Sequence, residues 1–298
     1  GWAEHHQLSY TLHLSRPADS LALWRDGVRS RIQPGYSTSG DTADLKLHLY
    51  LPQGSEPVLV KVGISPSSPE QAEKNLTAEL PHWDAVHQDS RRIWSEVLSK
   101  IEIETADSSV LRNFYTALYH AHIAPYNYQD VDGTFRGMDK QLHLSADPTD
   151  GHYTVFSLWD TYRALHPLLT IIEPERALRY GRSLISDYQE GTILPRWPGC
   201  MPGYHSVSIL ADLVAKGLAS GEDLKLWTEA AQRSSIYRED LARKFAGTRE
   251  LDLITRHPYY KERYGFVPAD SVPESVSWGV EMAYGASPVS PRQQASRT

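Results

Sequence analysis

The sequence predicts an α+β protein with more than one domain: an antiparallel β unit, part of a sandwich, followed by paired helices in an α/α toroid. Three observations predict it. Apolar and polar residues alternate with period two up to about residue 65. From Ser68 the apolar spacing becomes helical and stays so. The helices are joined by loops of unequal length, with no repeat of fixed period, which favours a toroid over an α-solenoid. At 298 residues, 40% hydrophobic and 22% charged, the chain can bury a sizeable core.

The alternating stretches are Leu8–Leu14, Leu45–Leu51 and Val58–Ile64, punctuated by Pro34-Gly35, Pro52 and Gly54. Such alternation implies strands with one wet face. The first strand starts almost at residue 1, which predicts further strands before it. Ser68 is placed to cap a helix with Pro69 at its first position. Asn75-Leu76-Thr77 is a glycosylation sequon and favours a secreted origin. Residues 81–100 carry Trp83, Val86, Ile93, Trp94, Val97 and Leu98 at roughly helical spacing. Asp107 or Ser108 can cap the next helix. Ser157 can cap another with Leu158, Tyr162 and Leu165 inward, which Pro167 kinks or ends. Pro174 begins a helix that Gly191 stops. Helices are further predicted through Val207–Val214, over Glu222–Phe245 and over Ser271–Tyr284. Two long loops, 123–154 and 191–205, carry many polar groups, as functional loops do.

Composition narrows the chemistry. A net charge of −7 with no basic block argues against nucleic-acid binding. The single cysteine, Cys200, excludes an internal disulfide framework and a thiolate zinc site. No apolar run is long enough to span a bilayer, and the first residue is Gly1 with no signal peptide. Eight Trp and seventeen Tyr against five Phe favour walls with an apolar body and a polar tip. The densest chemistry lies at Phe156-Ser157-Leu158-Trp159-Asp160-Thr161-Tyr162-Arg163. Trp159 and Arg163 are four residues apart and Asp160 and Arg163 three, so all three can share one side of a helix. An indole beside a carboxylate and a guanidinium suits a polyhydroxylated ligand. Core packing of the indole and a structural Asp160–Arg163 ion pair are the alternative accounts of the same residues.

The chain resembles glycoside hydrolase family 92, calcium-dependent exo-acting α-mannosidases. The resemblance rests on Val60–Ser65, Ala72–Leu76, Trp94–Ile101, Phe114–His120, Asp130-Val131-Asp132-Gly133 with Phe135–Asp139, and Phe156–Ala164 with His166-Pro167-Leu168. It continues through Leu194–Pro198, Met201–His205, Ala211-Asp212, Tyr264–Pro268 and Ser275-Val276-Ser277. It implies a partial N-terminal β-sandwich followed by an incomplete (α/α)6 barrel. The implied division is 1–80 for the sandwich part, 81–106 for a connecting helix, 107–284 for the first part of the barrel and 285–298 for a disordered tail outside the family pattern. It implies inverting release of terminal α-linked mannose, often α-1,2, from N-glycans or mannan, with Ca²⁺ holding sugar hydroxyls, and a secreted or extracytoplasmic protein.

The resemblance places Asp160 on mannose hydroxyls, with Arg163 orienting it, and Trp159 and Trp197 on the sugar face or pocket wall. His205 and Asp212 are its remaining substrate-side candidates. One departure matters. After Ser275-Val276-Ser277 the family pattern carries two adjacent aspartates, where this chain has Gly285-Ala286. The catalytic acid, the base and most calcium ligands are expected beyond residue 298, so the metal ligands are unassigned and the chain itself is expected to be inactive. Another (α/α)6 glycosidase and an inactive carbohydrate-binding remnant are the rival readings.

Overall fold

The computed structural model describes residues 8–33, 35, 45–51, 53–54, 56–82, 85–145, 147–195, 205–236, 238–244 and 257–266. Expectations for Trp83, Trp197, Cys200, Ser271–Tyr284 and the tail lie outside the described residues. Small antiparallel sheets and a helical layer make up the α+β architecture.

Five strands come first: β1 (Ser9–Leu14), β2 (Ser20–Arg25), β3 (Val28–Ile32), β4 (Leu45–Tyr50) and β5 (Val60–Ser65). They form two antiparallel sheets, β1-β5 and β3-β2-β4. β2 and β3 were not predicted. Their turn is Asp26-Gly27, with φ of 50° and 81°, the left-handed pair that a two-residue hairpin requires.

The β1-β5 sheet inverts the expected alternation. Lys61 and Ser65 are buried, while Val60, Val62 and Ile64 face solvent. The reason is helix α1 (Pro69–Glu79), which lies against the polar face. Ser68 caps α1 by accepting a hydrogen bond from the Gln71 amide at 3.2 Å, and Pro69 opens it, as predicted. Thr11 donates to the Glu73 carboxylate at 3.0 Å, and Lys61 donates to the Leu80 carbonyl at 2.5 Å. Gly63 allows the approach. A Cβ there would sit 2.2 Å from the Ala72 carbonyl oxygen and 2.7 Å from Leu76 Cβ. Because the obstacle is backbone, Gly63→Ala is expected to destabilise the chain by about 3 kcal/mol, read as a lowered urea midpoint at unchanged slope. An unchanged midpoint would show that the sheet and helix are not so closely packed.

Helices α2 (Val86–Leu98) and α3 (Ser108–Ala121) follow, and Trp94 meets Tyr119 with ring centroids 4.4 Å apart. Asp107 caps α3, accepting from the Ser109 amide at 2.7 Å. The 123–154 segment is a folded pair of hairpins: β6 (Tyr126–Asn127) with β9 (Tyr153–Thr154), and β7 (Thr134–Arg136) with β8 (Leu142–Leu144).

The main core lies among the next helices: α4 (Leu158–Thr161), α5 (Leu165–Ile172), α6 (Pro174–Gly191), α7 (His205–Ala215) and α8 (Glu222–Ser235). Leu169, Tyr180, Leu184, Ile209, Leu213 and Trp227 fill it. α6 is central. A Cβ on Gly181 would meet Leu213 at 2.7 Å and Trp227 at 2.8 Å, so this glycine lets α7 and α8 close on α6. The left-handed residue that stops α6 is Thr192, φ 62°, one beyond the predicted Gly191. The predicted helix over Glu222–Phe245 is divided into α8 and α9 (Glu239–Lys244), and α10 (His257–Tyr264) was not foreseen.

Two expectations near Ser157 fail. Pro167 neither kinks nor ends a helix. It lies in the first turn of α5, where a missing N–H costs nothing. Ser157 makes no side-chain cap, because its own φ is 47°.

Candidate functional site

The site begins with a strained approach. Val155 and Ser157 have φ of 63° and 47°, on either side of buried Phe156. A β-branched residue at positive φ is rare, and such strain persists where packing over-determines it. Phe156 anchors the segment edge-on against Tyr180, centroids 5.9 Å apart. The single turn α4 follows at once, with Leu158 inward, Trp159 half-buried and Asp160 exposed.

The structure gathers Trp159, Tyr162, Arg163 and His205. His205, the first residue of α7, stacks on Tyr162 with centroids 4.0 Å apart and planes 14° apart. Trp159 meets the same imidazole edge-on at 5.4 Å. Arg163 donates through Nε to the Tyr162 hydroxyl at 2.5 Å, and its guanidinium carbon lies 5.1 Å from that ring's centre. Arg163 therefore does not orient Asp160 as expected. Ser157 does: its hydroxyl donates to Asp160 Oδ2 at 3.0 Å. His205 Nε2 is buried and has no hydrogen-bond partner. Burial, with the Arg163 charge adding to it, pushes this imidazole toward its neutral form.

Asp212 does not join this group. It lies seven residues beyond His205 on α7, about 10 Å along the axis. Its Oδ2 is 2.8 Å from Lys216 Nζ, which also donates to Thr170 Oγ1 at 2.7 Å, tying α7 to α5. Near that tie sits His166, which was not singled out from the sequence as a site residue. It is 3% exposed, and its Nε2 has no partner. Burial, against the raising charge of Asp212, lowers its pKa to about 4. The sequence signal for it was one imidazole inside an otherwise apolar helix face.

The polar groups of the 123–154 segment serve its folding and its attachment to β5, α1 and α6. Arg136 donates to the carbonyls of Pro66 at 3.0 Å and Lys140 at 2.8 Å, and Asp139 faces His143 at 2.9 Å. Glu190 of α6 accepts from the Met138 amide at 3.0 Å. Among the described residues, no three His, Cys, Asp or Glu side chains are grouped so as to hold a metal ion.

Small sheets joined to a helical layer, with an indole, a phenol and an imidazole beside an exposed carboxylate, define an α+β protein with an aromatic wall next to a solvent-facing acid. The profile of the glycosyl hydrolase family 92 catalytic domain matches residues 71–292, and the chain belongs to glycoside hydrolase family 92.

Solved structures agree. A family GH92 alpha-mannosidase from Bacteroides thetaiotaomicron is 30% identical with a TM-score of 0.69, over 79% of this chain and 33% of that one. The same mannosidase is also known in complex with mannoimidazole. A family GH92 inverting mannosidase from Bacteroides thetaiotaomicron VPI-5482 is 26% identical with a TM-score of 0.74, over 94% of this chain and 37% of that one. The chain thus spans about a third of the length of these structures. No curated protein matches it. No described helix is long and apolar enough to cross a membrane.

Proposed function

We propose that the protein is the substrate-gripping part of an exo-acting, inverting α-mannosidase that releases terminal, α-1,2-linked mannose from N-glycans or mannan outside the cytoplasm. The observation that carries this reading is the Trp159–Tyr162–His205 aromatic group beside solvent-facing Asp160, in a chain of family 92. Trp159 offers a flat surface to the apolar face of a pyranose. Asp160 accepts hydrogen bonds from sugar hydroxyls. Arg163 holds the Tyr162 hydroxyl through its Nε, and Trp197 is a further sugar-stacking candidate.

Inversion needs a carboxylic acid and a carboxylate base with room for a water between them. We assign neither role to a residue of this chain. Ca²⁺ enters the proposal as a requirement of the whole hydrolase, where it would bind sugar hydroxyls through oxygen ligands. The chain by itself is expected to show no turnover of an aryl α-mannoside, with or without added Ca²⁺. Chelator-sensitive turnover by the purified chain would place acid and base within it. Chelator-insensitive turnover of a glucoside would favour another glycosidase class.

A further inference from the structure

The sequon Asn75-Leu76-Thr77 reads in the sequence as a place for an N-glycan. In the structure Asn75 is 7% exposed, on the face of α1 turned toward β5. Its amide is fully engaged. Nδ2 donates to the Ile64 carbonyl at 2.8 Å and to Asp130 Oδ1 at 2.7 Å. Oδ1 accepts from the Val131 amide at 3.0 Å. A primary amide has two hydrogens to give, and both are given.

Its partners are as deeply set. Asp130 is 1% exposed and its Oδ2 accepts from the Ser65 hydroxyl at 2.9 Å. Ser65 is fully buried, and its oxygen accepts from the amides of Ser67 at 2.9 Å and Ser68 at 3.2 Å. One connected group of polar atoms therefore joins the end of β5, the turn into α1, α1 itself and the start of the 129–136 hairpin. Within it, Asn75 reaches both the strand and the turn at Asp130 from α1, beside the direct Ser65–Asp130 bond.

Glycan transfer would break one N–H of Nδ2, form a bond from that nitrogen to C1 of a lipid-pyrophosphate-linked oligosaccharide, and release the lipid pyrophosphate and a proton. The product has one amide hydrogen where the structure uses two. Its sugar would have to fill the space of the Ile64 carbonyl or the Asp130 carboxylate. We infer that Asn75 is a buried pin joining β5, α1 and the hairpin, and that glycosylation at this sequon and the native fold exclude each other. The sequon is therefore no sign of a glycoprotein. In a host that glycosylates, folded molecules carry a bare Asn75, and chains modified there are lost to misfolding.

Two substitutions separate a pin from an acceptor, because both remove the sequon and one alone touches the pin. Thr77 is exposed, so Thr77→Ala leaves every bond of Asn75 in place. Asn75→Asp keeps the shape but sets a carboxylate against Asp130. The chain and both variants are made in a secretory eukaryotic host, and the monomer fraction is taken for peptide mass spectrometry and thermal melting. The expected result is unmodified Asn75 in the wild-type monomer. Thr77→Ala should melt within about 2 °C of wild type, and Asn75→Asp should melt roughly 5 °C or more lower. If Asn75→Asp yields no folded monomer, the double variant Asn75→Asp/Asp130→Asn, which exchanges donor and acceptor between the two side chains but leaves the Ile64 carbonyl without its donor, should restore part of the monomer. A glycan on Asn75 of the folded monomer would overturn the inference. So would equal melting of Thr77→Ala and Asn75→Asp, or a double variant no better than Asn75→Asp.

Discussion

Replacing Glu173 by alanine is expected to destabilise the protein by about 3 kcal/mol, because three cationic or polar side chains lose one shared carboxylate. Glu173 sits at the joint between α5 and α6, and its side chain is 3% exposed. Lys100 Nζ approaches Oε1 at 3.1 Å and His122 Nε2 the same oxygen at 3.2 Å, while Arg176 Nε pairs with Oε2. His122 Nδ1 is meanwhile 2.8 Å from the Leu118 carbonyl, so both of its ring nitrogens face acceptors. One carboxylate thus ties the end of the connecting helix and the end of α3 to the α5–α6 turn.

The same carboxylate sets an acid limit. Burial pushes its pKa up, but the His122 hydrogen bond, the Arg176 charge and Lys100 together outweigh burial and hold it at about 2, against an ordinary 4.5. A group whose folded pKa is depressed stabilises the fold above its unfolded pKa and loses that contribution as pH falls through the folded value. The Glu173 share of stability is therefore complete above about pH 5 and disappears between there and about pH 2. Urea melts across that window should show a slope in wild type that is smaller in Glu173→Gln. Parallel pH profiles for the two proteins would mean that the ion cluster does not couple to folding.

Asp160→Ala is expected to weaken mannoside binding by about 10- to 100-fold, the loss of roughly one or two charge-assisted hydrogen bonds. Its melting temperature should stay within about 2 °C of wild type. Asp160 is exposed, and among the described hydrogen bonds its side chain holds only the Ser157 hydroxyl. A stable variant that binds mannoside as wild type does would remove Asp160 from the ligand's contacts.

What could be read from the sequence follows the range of the forces involved. The caps at Ser68 and Asp107 were legible because a cap is settled within three residues. β2 and β3 were missed because Leu21-Ala22-Leu23-Trp24 does not alternate, although Asp26-Gly27 held the hairpin signal. The inverted β1-β5 sheet was out of reach. Apolar Val62 and Ile64 read as core, and only the close approach of α1 over Gly63 turns them outward. The burial of Asn75 was out of reach for the same reason, since two of its partners lie 55 and 56 residues away. At the site, the indole, phenol and carboxylate of 156–163 were visible as a group, and His205 was named only as a separate substrate-side candidate. Arg163 was misassigned to Asp160 because helical spacing assumed a continuous helix, and the chain breaks after one turn. His166 was passed over because a lone imidazole on an apolar helix face marks burial but not the missing partner of its Nε2.

The most direct test of the central claim is saturation-transfer NMR on the purified chain with methyl α-mannoside, methyl α-glucoside as the control and Asp160→Ala as the comparison. The account predicts transfer to the mannoside that exceeds transfer to the glucoside and falls away in Asp160→Ala. Equal transfer to both sugars, unaltered by Asp160→Ala, or no transfer to the mannoside, would contradict it.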